Sequence, residues 1–276
     1  MAKQKIYRMG EFAQRLGVSR DLIKYYEKHH ILTSQREAGN QYRYYYHAQY
    51  PAIFLSRRLQ NTGCSLREIE GLLNEADPAE TEAATLRQIQ GLERELRLKS
   101  LYLEKLRQLR PLQRQAAEGT FDGSWATGPR PALAFFPFSA YDRFLELDNA
   151  DLAALADWVD ATPAADFCGL VRGGTLTYGF AIPQEQAQAL GLTGSGLVAL
   201  PPCQAFWYAM QTPRRPLNHE VGSEAEEITL QTAPALSKLA QLGLTGEEPI
   251  CVFDLFESHA EGQFCYFQQV SIPLAD

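Results

Sequence analysis

Two sets of side chains in this sequence have the types and spacing to do chemistry. The first lies near the N-terminus, where Arg20 and Lys24 sit one helical turn apart and Arg43 stands inside the run Tyr42-Arg43-Tyr44-Tyr45-Tyr46. Guanidinium, ammonium and phenol groups are donors suited to phosphate oxygens. The charge distribution agrees: residues 1–70 hold 12 Lys+Arg against 6 Asp+Glu, residues 71–118 hold 8 against 8, and residues 119–276 hold 6 against 19. The net charge of -7 therefore hides a basic first quarter. Affinity for a phosphate backbone follows the local patch, so this quarter is a candidate polyanion surface.

The second set lies in the acidic C-terminal region, where Tyr141, Tyr178, Trp207, Tyr208, Phe256 and Tyr266 are spread among surplus carboxylates that include Asp254 and Glu257. Aromatic faces beside a partly desolvated carboxylate make a site for an organic cation. The preferred grouping is Asp254 with Phe256, Tyr178, Trp207 and Tyr266. In a regular strand Asp254 shares a face with Val252 and Phe256, while Glu257 shares the other with Phe253 and Leu255. Which carboxylate faces the pocket stays open, and opposite faces argue against the two as an acid–base pair.

Other chemistries find little support. Cys64, Cys168, Cys203, Cys251 and Cys265 are scattered, without the spacing of a zinc or disulfide framework, so no metal is expected. GxSxG, HExxH, phosphate-loop and dinucleotide fingerprints are missing, and His219 and His259 stand in loop-like sequence. No catalytic residue and no cofactor are expected. Neither a signal-peptide core nor a run of about 18 apolar residues is present, which predicts a cytoplasmic protein without membrane contact.

The elements that must carry these residues follow from the pattern. Met9 to Leu16 has helical spacing and stops at Gly17; Ser19 is an N-cap for a helix from Arg20 to His30 with Leu22, Ile23 and Tyr26 inward. Gly-Val-Ser between two short helices signals a helix-turn-helix. A polar turn then leads into an aromatic strand at 41–46, a wing, followed by helices near 48–61 and 65–75, the second opened by Ser65 with Glu68. From Pro78 to Ala117 one long helix is expected, with Ile89, Leu92, Leu96, Lys99, Leu103, Leu106 and Arg110 at coiled-coil spacing. A seam of Ile89, Leu92, Leu96, Leu103 and Leu106 predicts a homodimer. Residues 119–131 read as a linker. Beyond it strands are expected at 132–138, 167–172, 175–182, 197–210, 249–256 and 265–272, with helices near 152–161 and 228–242. The fold class expected is multidomain: a winged helix-turn-helix (1–77), a dimerising coiled-coil helix (78–118) and, after the linker, an α+β domain (132–276) built on an antiparallel sheet with a duplicated strand-helix-strand-strand order.

Tyr7-Arg8-Met9-Gly10-Glu11-Phe12-Ala13, Leu16-Gly17-Val18-Ser19, Leu22-Ile23-Lys24-Tyr25-Tyr26-Glu27 and Tyr42-Arg43-Tyr44-Tyr45 together resemble the DNA-binding domain of the MerR family. The resemblance covers about residues 6–120. Departures fall at Lys24, His29-His30, Thr33-Ser34 and Asn40-Gln41. The resemblance implies a homodimer on double-stranded promoter DNA, with Ser19, Arg20, Lys24 and Tyr25 at the recognition helix, Tyr42 and Arg43 at the wing, and Arg57 or Arg58 on phosphate. It also implies that effector binding distorts the promoter and so reaches RNA polymerase indirectly. The C-terminal region resembles the GyrI-like effector-binding domain of multidrug-sensing members, through strands 251–257 and 267–274. That resemblance puts the ligand-contacting acid on Asp254, with Glu257 as the alternative, and implies an organic effector and a regulated gene such as one for multidrug resistance. An alternative reading is a small-molecule hydrolase or binding protein, since some GyrI-like domains resemble hydrolases that use a glutamate.

Overall fold

The computed structural model describes residues 5–36, 42–213, 222–260 and 262–275. The chain divides into two compact units, Met1–Leu96 and Arg97–Asp276.

In the first unit, β1 (Ile6–Arg8) leads directly into α1 (Met9–Arg15), which Gly17 ends with a left-handed φ of 65° that a side chain would oppose. The Ser19 hydroxyl then accepts from Leu22 N at 3.1 Å and starts α2 (Arg20–Lys28). That helix stops earlier than expected, at the His29 cap, with His30 left-handed at φ 53°. β2 (Gln35–Arg36) and β3 (Arg43–Tyr46) follow, and the sheet order is β1-β3-β2. The expected wing turn at 37–41 lies outside the described residues. A short 3-10 turn at His47–Gln49 precedes α3 (Tyr50–Asn61), and a reciprocal Ser65–Glu68 box caps α4 (Leu66–Asn74). Phe12, Ile23, Tyr26, Tyr45, Ile53 and Ile69 form the core, with Phe12 stacked on Tyr45 at 5.1 Å.

The long helix α5 runs from Pro78 to Ala117 and carries Pro111 within it. It bears two apolar stripes. Ile89, Leu92, Leu96, Leu103 and Leu106 are exposed, whereas within the second unit Leu98, Leu101, Tyr102 and Leu112 pack against that unit's core and Leu109 is buried. Residues 96 and 98 are two steps apart, about 200° around a helix, so the stripes lie on opposite sides.

Among the described residues the second unit holds a nine-stranded sheet, antiparallel in every pairing, with the order β4-β10-β12-β11-β7-β8-β5-β6 and β9 also on β5. Its elements are β4 (Trp125–Arg130), β5 (Leu133–Ala140), β6 (Arg143–Phe144), α6 (Asn149–Asp160), β7 (Asp166–Arg172), β8 (Thr175–Pro183), α7 (Gln184–Leu190), β9 (Val198–Leu200), β10 (Cys203–Pro213), α8 (Glu224–Gln241), β11 (Ile250–Ala260) and β12 (Gln263–Pro273). The strand-helix-strand-strand order occurs twice, as β5-α6-β7-β8 and β10-α8-β11-β12, and the halves meet where β7 pairs with β11. Helices α6, α7 and α8 cover one face through Trp158, Leu190 and Leu239.

Two expectations are corrected, and one helix is new. The linker at 119–131 contains β4, which pairs with β10 from Arg130↔Cys203 to Trp125↔Tyr208; its Gly, Thr and Pro residues suit an edge strand as well as a loop. The strand expected across 197–210 is two, because Pro201 and Pro202 lack the N–H a continuous ladder needs. Helix α7, only seven residues long, carries too short an apolar pattern to read from the sequence.

Candidate functional site

On the first unit, Arg8, Arg20, Lys24, Tyr42 and Arg43 line one open groove with Gly10 and Glu11. Helix α2 buries Ile23 and Tyr26, which forces Arg20 and Lys24 to the outside. The Arg20 guanidinium passes so close to Gly10 that a Cβ there would meet Nη2 at 2.7 Å. Lys24 Nζ is 2.9 Å from Asp21, in solvent, where such a pair is worth little and yields readily to a phosphate. From β3, Arg43 Nη1 donates to Glu27 at 2.7 Å, which fixes its position. The Arg8 guanidinium lies over the Tyr42 ring at 4.9 Å. Arg8 was missed as a site residue although it stands in the run that carries the family resemblance.

The remaining basic-region residues are placed differently. The Ser19 hydroxyl is occupied as the helix cap. Tyr25 is exposed at 45% and meets His29 edge to face at 4.8 Å, away from the groove lining. Arg57 and Arg58 are exposed on α3, also outside the groove.

On the second unit, a cavity of about 490 Å³ opens on the helical face of the sheet and is bounded by Tyr178, Glu227, Gln231, Asp254, Glu257 and Tyr266, with Phe167 and Gln268 among its other walls. Both acids that alternation separates reach it. A β-bulge between Asp254 and Phe256 leaves Leu255 unmatched on β12, so Glu257 returns to the Asp254 side while Phe256 turns away. Asp254 is half-buried and Glu257 exposed at the rim.

Asp254 Oδ1 accepts from Gln268 Nε2 at 2.6 Å, and Gln268 Oε1 in turn accepts from the Thr212 hydroxyl at 2.9 Å. Burial pushes the Asp254 carboxyl up to about 6, against the Gln268 hydrogen bond and with the help of the Glu257 charge. Across the cavity Gln231 Nε2 donates to Glu227 at 2.7 Å and to the Tyr178 hydroxyl at 3.0 Å, while Gln231 Oε1 is buried without a partner among the described residues. Burial pushes Tyr178 up to about 12, and its ring stacks on Phe167 at 5.7 Å. Among the described lining residues there are three carboxylates and no Lys or Arg.

The grouping expected around Asp254 is thus corrected in part. Tyr178 and Tyr266 are there. Trp207 lies on the opposite face, stacked on Phe253 at 6.1 Å. Phe256 joins Phe121 and Phe267, stacked on the latter at 4.6 Å. Tyr208 and Tyr141 pack at the margin of the α8 core, Tyr141 donating to Gly222 O at 2.9 Å. Glu227, Gln231 and Phe167 were missed. Glu227 and Gln231 are one turn apart on α8, a signal present in the sequence but indistinct from any polar helix side.

Residues 7–76 match the sequence profile of the MerR HTH family regulatory protein. Over this segment the chain is similar to the MerR-family helix-turn-helix domain. The Mercuric resistance operon regulatory protein of Bacillus cereus is 30% identical over 76 residues, which are 28% of this chain and 58% of that protein. The chain therefore spans under two thirds of that relative's length. Structural likeness to a complex of EcmrR with DNA covers 98% of this chain and 100% of that one, at a TM-score of 0.36 and 13% identity. HiNmlR, a MerR family regulator lacking the sensor domain, bound to promoter DNA, is matched over 42% of this chain and 97% of its own, at 0.33 and 20%. The MerR assignment of the N-terminal domain rests on residues 7–76. No helix among the described residues is long and apolar enough to cross a membrane.

Proposed function

We propose that this chain is a ligand-responsive transcription regulator that binds double-stranded promoter DNA as a homodimer through its MerR-family domain. The Asp254 cavity takes an organic effector, cationic or amphipathic and aromatic, and the liganded dimer distorts the promoter so that RNA polymerase is affected indirectly. The observation that carries the effector class is the cavity itself: three carboxylates and stacked aromatic rings with no Lys or Arg in its described lining. A desolvated carboxylate gains from a cation that it would otherwise have to meet as a proton.

The dimer reading rests on the exposed stripe of α5. Ile89, Leu92, Leu96, Leu103 and Leu106 are each exposed by between 39% and 67%. Burying a half-exposed leucine gives about 1 kcal/mol, so ten across two copies give on the order of 10 kcal/mol. Association costs roughly 4–15 kcal/mol, so the whole seam is needed and not one or two contacts. Bending a site costs a few kcal/mol, which is the differential affinity an effector must supply.

The test is binding of the full chain to DNA from its own promoter at two salt concentrations, with and without tetraphenylphosphonium, alongside transcription in vitro. Specific, salt-sensitive binding with cation-dependent transcription is the expected result. Loss of any specific complex would remove the regulator reading. One observation favours hydrolysis as a second reading: the bulge puts Asp254 and Glu257 in one cavity, with Asp254 titrating near 6 as a general acid requires. Turnover of a reactive small molecule that disappears in Glu257→Gln would support it.

A further inference from the structure

A second cavity, of about 300 Å³, lies between strand residues, the part of α5 in the second unit, Ala164 and Gln186 of α7. Arg130 lines it from β4 and is only 1% exposed. Among the described residues its Nη1 has two contacts, Pro249 O at 3.4 Å and Cys251 Sγ at 3.6 Å, and its Nε has no partner. A hydrogen bond with Cys168 and the Arg130 charge hold the Cys251 thiol below its ordinary range against burial, and among the described residues no carboxylate contacts the guanidinium. Lys105, the other cation in the lining, is already held by Asp166 at 2.6 Å. A buried guanidinium left without a carboxylate is an arrangement that proteins ordinarily avoid.

The rest of the cavity says what would complete it. Register puts Arg130 and Trp207 on the same side of the sheet, since Arg130 opposes Cys203 and Ala126 opposes Trp207. Trp207 stacks on Phe253, so a flat aromatic surface stands in the lining that contains the unpaired cation. The lining also holds Gln108, Gln186 and Gln269 and two carboxylates, Glu104 and Asp166, so the Arg130 fork beside the Trp207–Phe253 surface fits a ring bearing one carboxylate better than a multiply charged phosphate.

We infer that this cavity is a second ligand site that takes a small aromatic carboxylate, which accepts from the Arg130 guanidinium and lies on Trp207 and Phe253. The site is independent of the Asp254 cavity, which lies on the other face and takes the opposite charge. Leu101 and Lys105 of α5 form part of its wall, so the bound acid also touches that helix.

The test uses the full chain and 2-naphthoate, with 2-naphthamide as the uncharged control, by titration calorimetry. The carboxylate should bind at least tenfold more tightly than the amide, and Arg130→Met should erase that preference. Because Arg130→Met removes a buried side chain and can fail to fold, the Arg130 Nε–H resonance of the unmodified protein is followed in parallel. It should shift on adding naphthoate and not on adding the amide. Saturating tetraphenylphosphonium should not displace naphthoate. Equal affinity for acid and amide, an unmoved Arg130 resonance, or competition by tetraphenylphosphonium would each overturn the assignment.

Discussion

Replacing Asp254 by Asn removes a carboxyl that the fold holds near 6 instead of its ordinary 3.8. That difference corresponds to about 3 kcal/mol against the ionised form. The raised folded value makes the protonated group the stabilising one. Its contribution is fully present below pH about 4 and is lost as the pH rises through about 6. The unliganded protein should therefore lose up to about 3 kcal/mol of stability across this window from Asp254, and Asp254→Asn should flatten that part of the curve. Cation binding runs the other way, because only the ionised carboxylate attracts it. Apparent affinity for tetraphenylphosphonium should be nearly constant above pH 7 and fall about tenfold by pH 5, the protonated fraction expected for a group titrating near 6. Glu227 and Glu257 also face the cavity, so the comparison is between variant and parent over the same pH range. Calorimetric titrations at pH 5, 6, 7 and 8, with urea unfolding at each, provide both curves. An Asp254→Asn protein that binds the cation as tightly as the parent at pH 8, or keeps the parent's tenfold loss at pH 5, would refute the reasoning.

Further expectations are more local. Arg20→Ala should weaken DNA binding and lower the slope of log affinity against log salt by about 1, measured by fluorescence anisotropy at several salt concentrations; an unchanged slope would mean Arg20 meets no phosphate. Leu96→Glu with Leu103→Glu should halve the mass seen by light scattering while changing intrinsic stability by less than about 0.5 kcal/mol, since both side chains are exposed. Ser19→Ala should cost about 1 kcal/mol in urea unfolding through loss of the cap on α2. Gly179→Ala should destabilise the second unit far more than an ordinary surface change, because a Cβ there overlaps the Phe136 carbonyl and the Phe135 ring; a cost under about 1 kcal/mol would show that the β5–β8 pair relaxes freely.

Local signals determined much of this protein. Gly17, Ser19 and the Ser65–Glu68 box mark helix ends because each acts on backbone groups within a few residues, so the first unit's helices lie close to where the pattern puts them. The run from Pro78 to Ala117 holds no strong stop, and Pro111 sits inside it without ending it. Arg20, Lys24, Tyr42 and Arg43 were legible together because the helix and the strand that carry them are regular. Tertiary structure decided the rest. The second stripe of α5 is visible only once a sheet lies against it, and β4 is a strand only because β10 offers it a ladder. The Asp254 cavity depends on one extra residue in β11, which no alternation rule foresees, since a bulge exchanges the faces of everything beyond it. Arg130 is the same lesson in charge: in sequence it is one arginine before a proline, and only folding buries it with its Nε unpartnered among the described residues. Helix ends are set by neighbours in the chain, whereas faces, cavities and unpaired charges are set by neighbours in space.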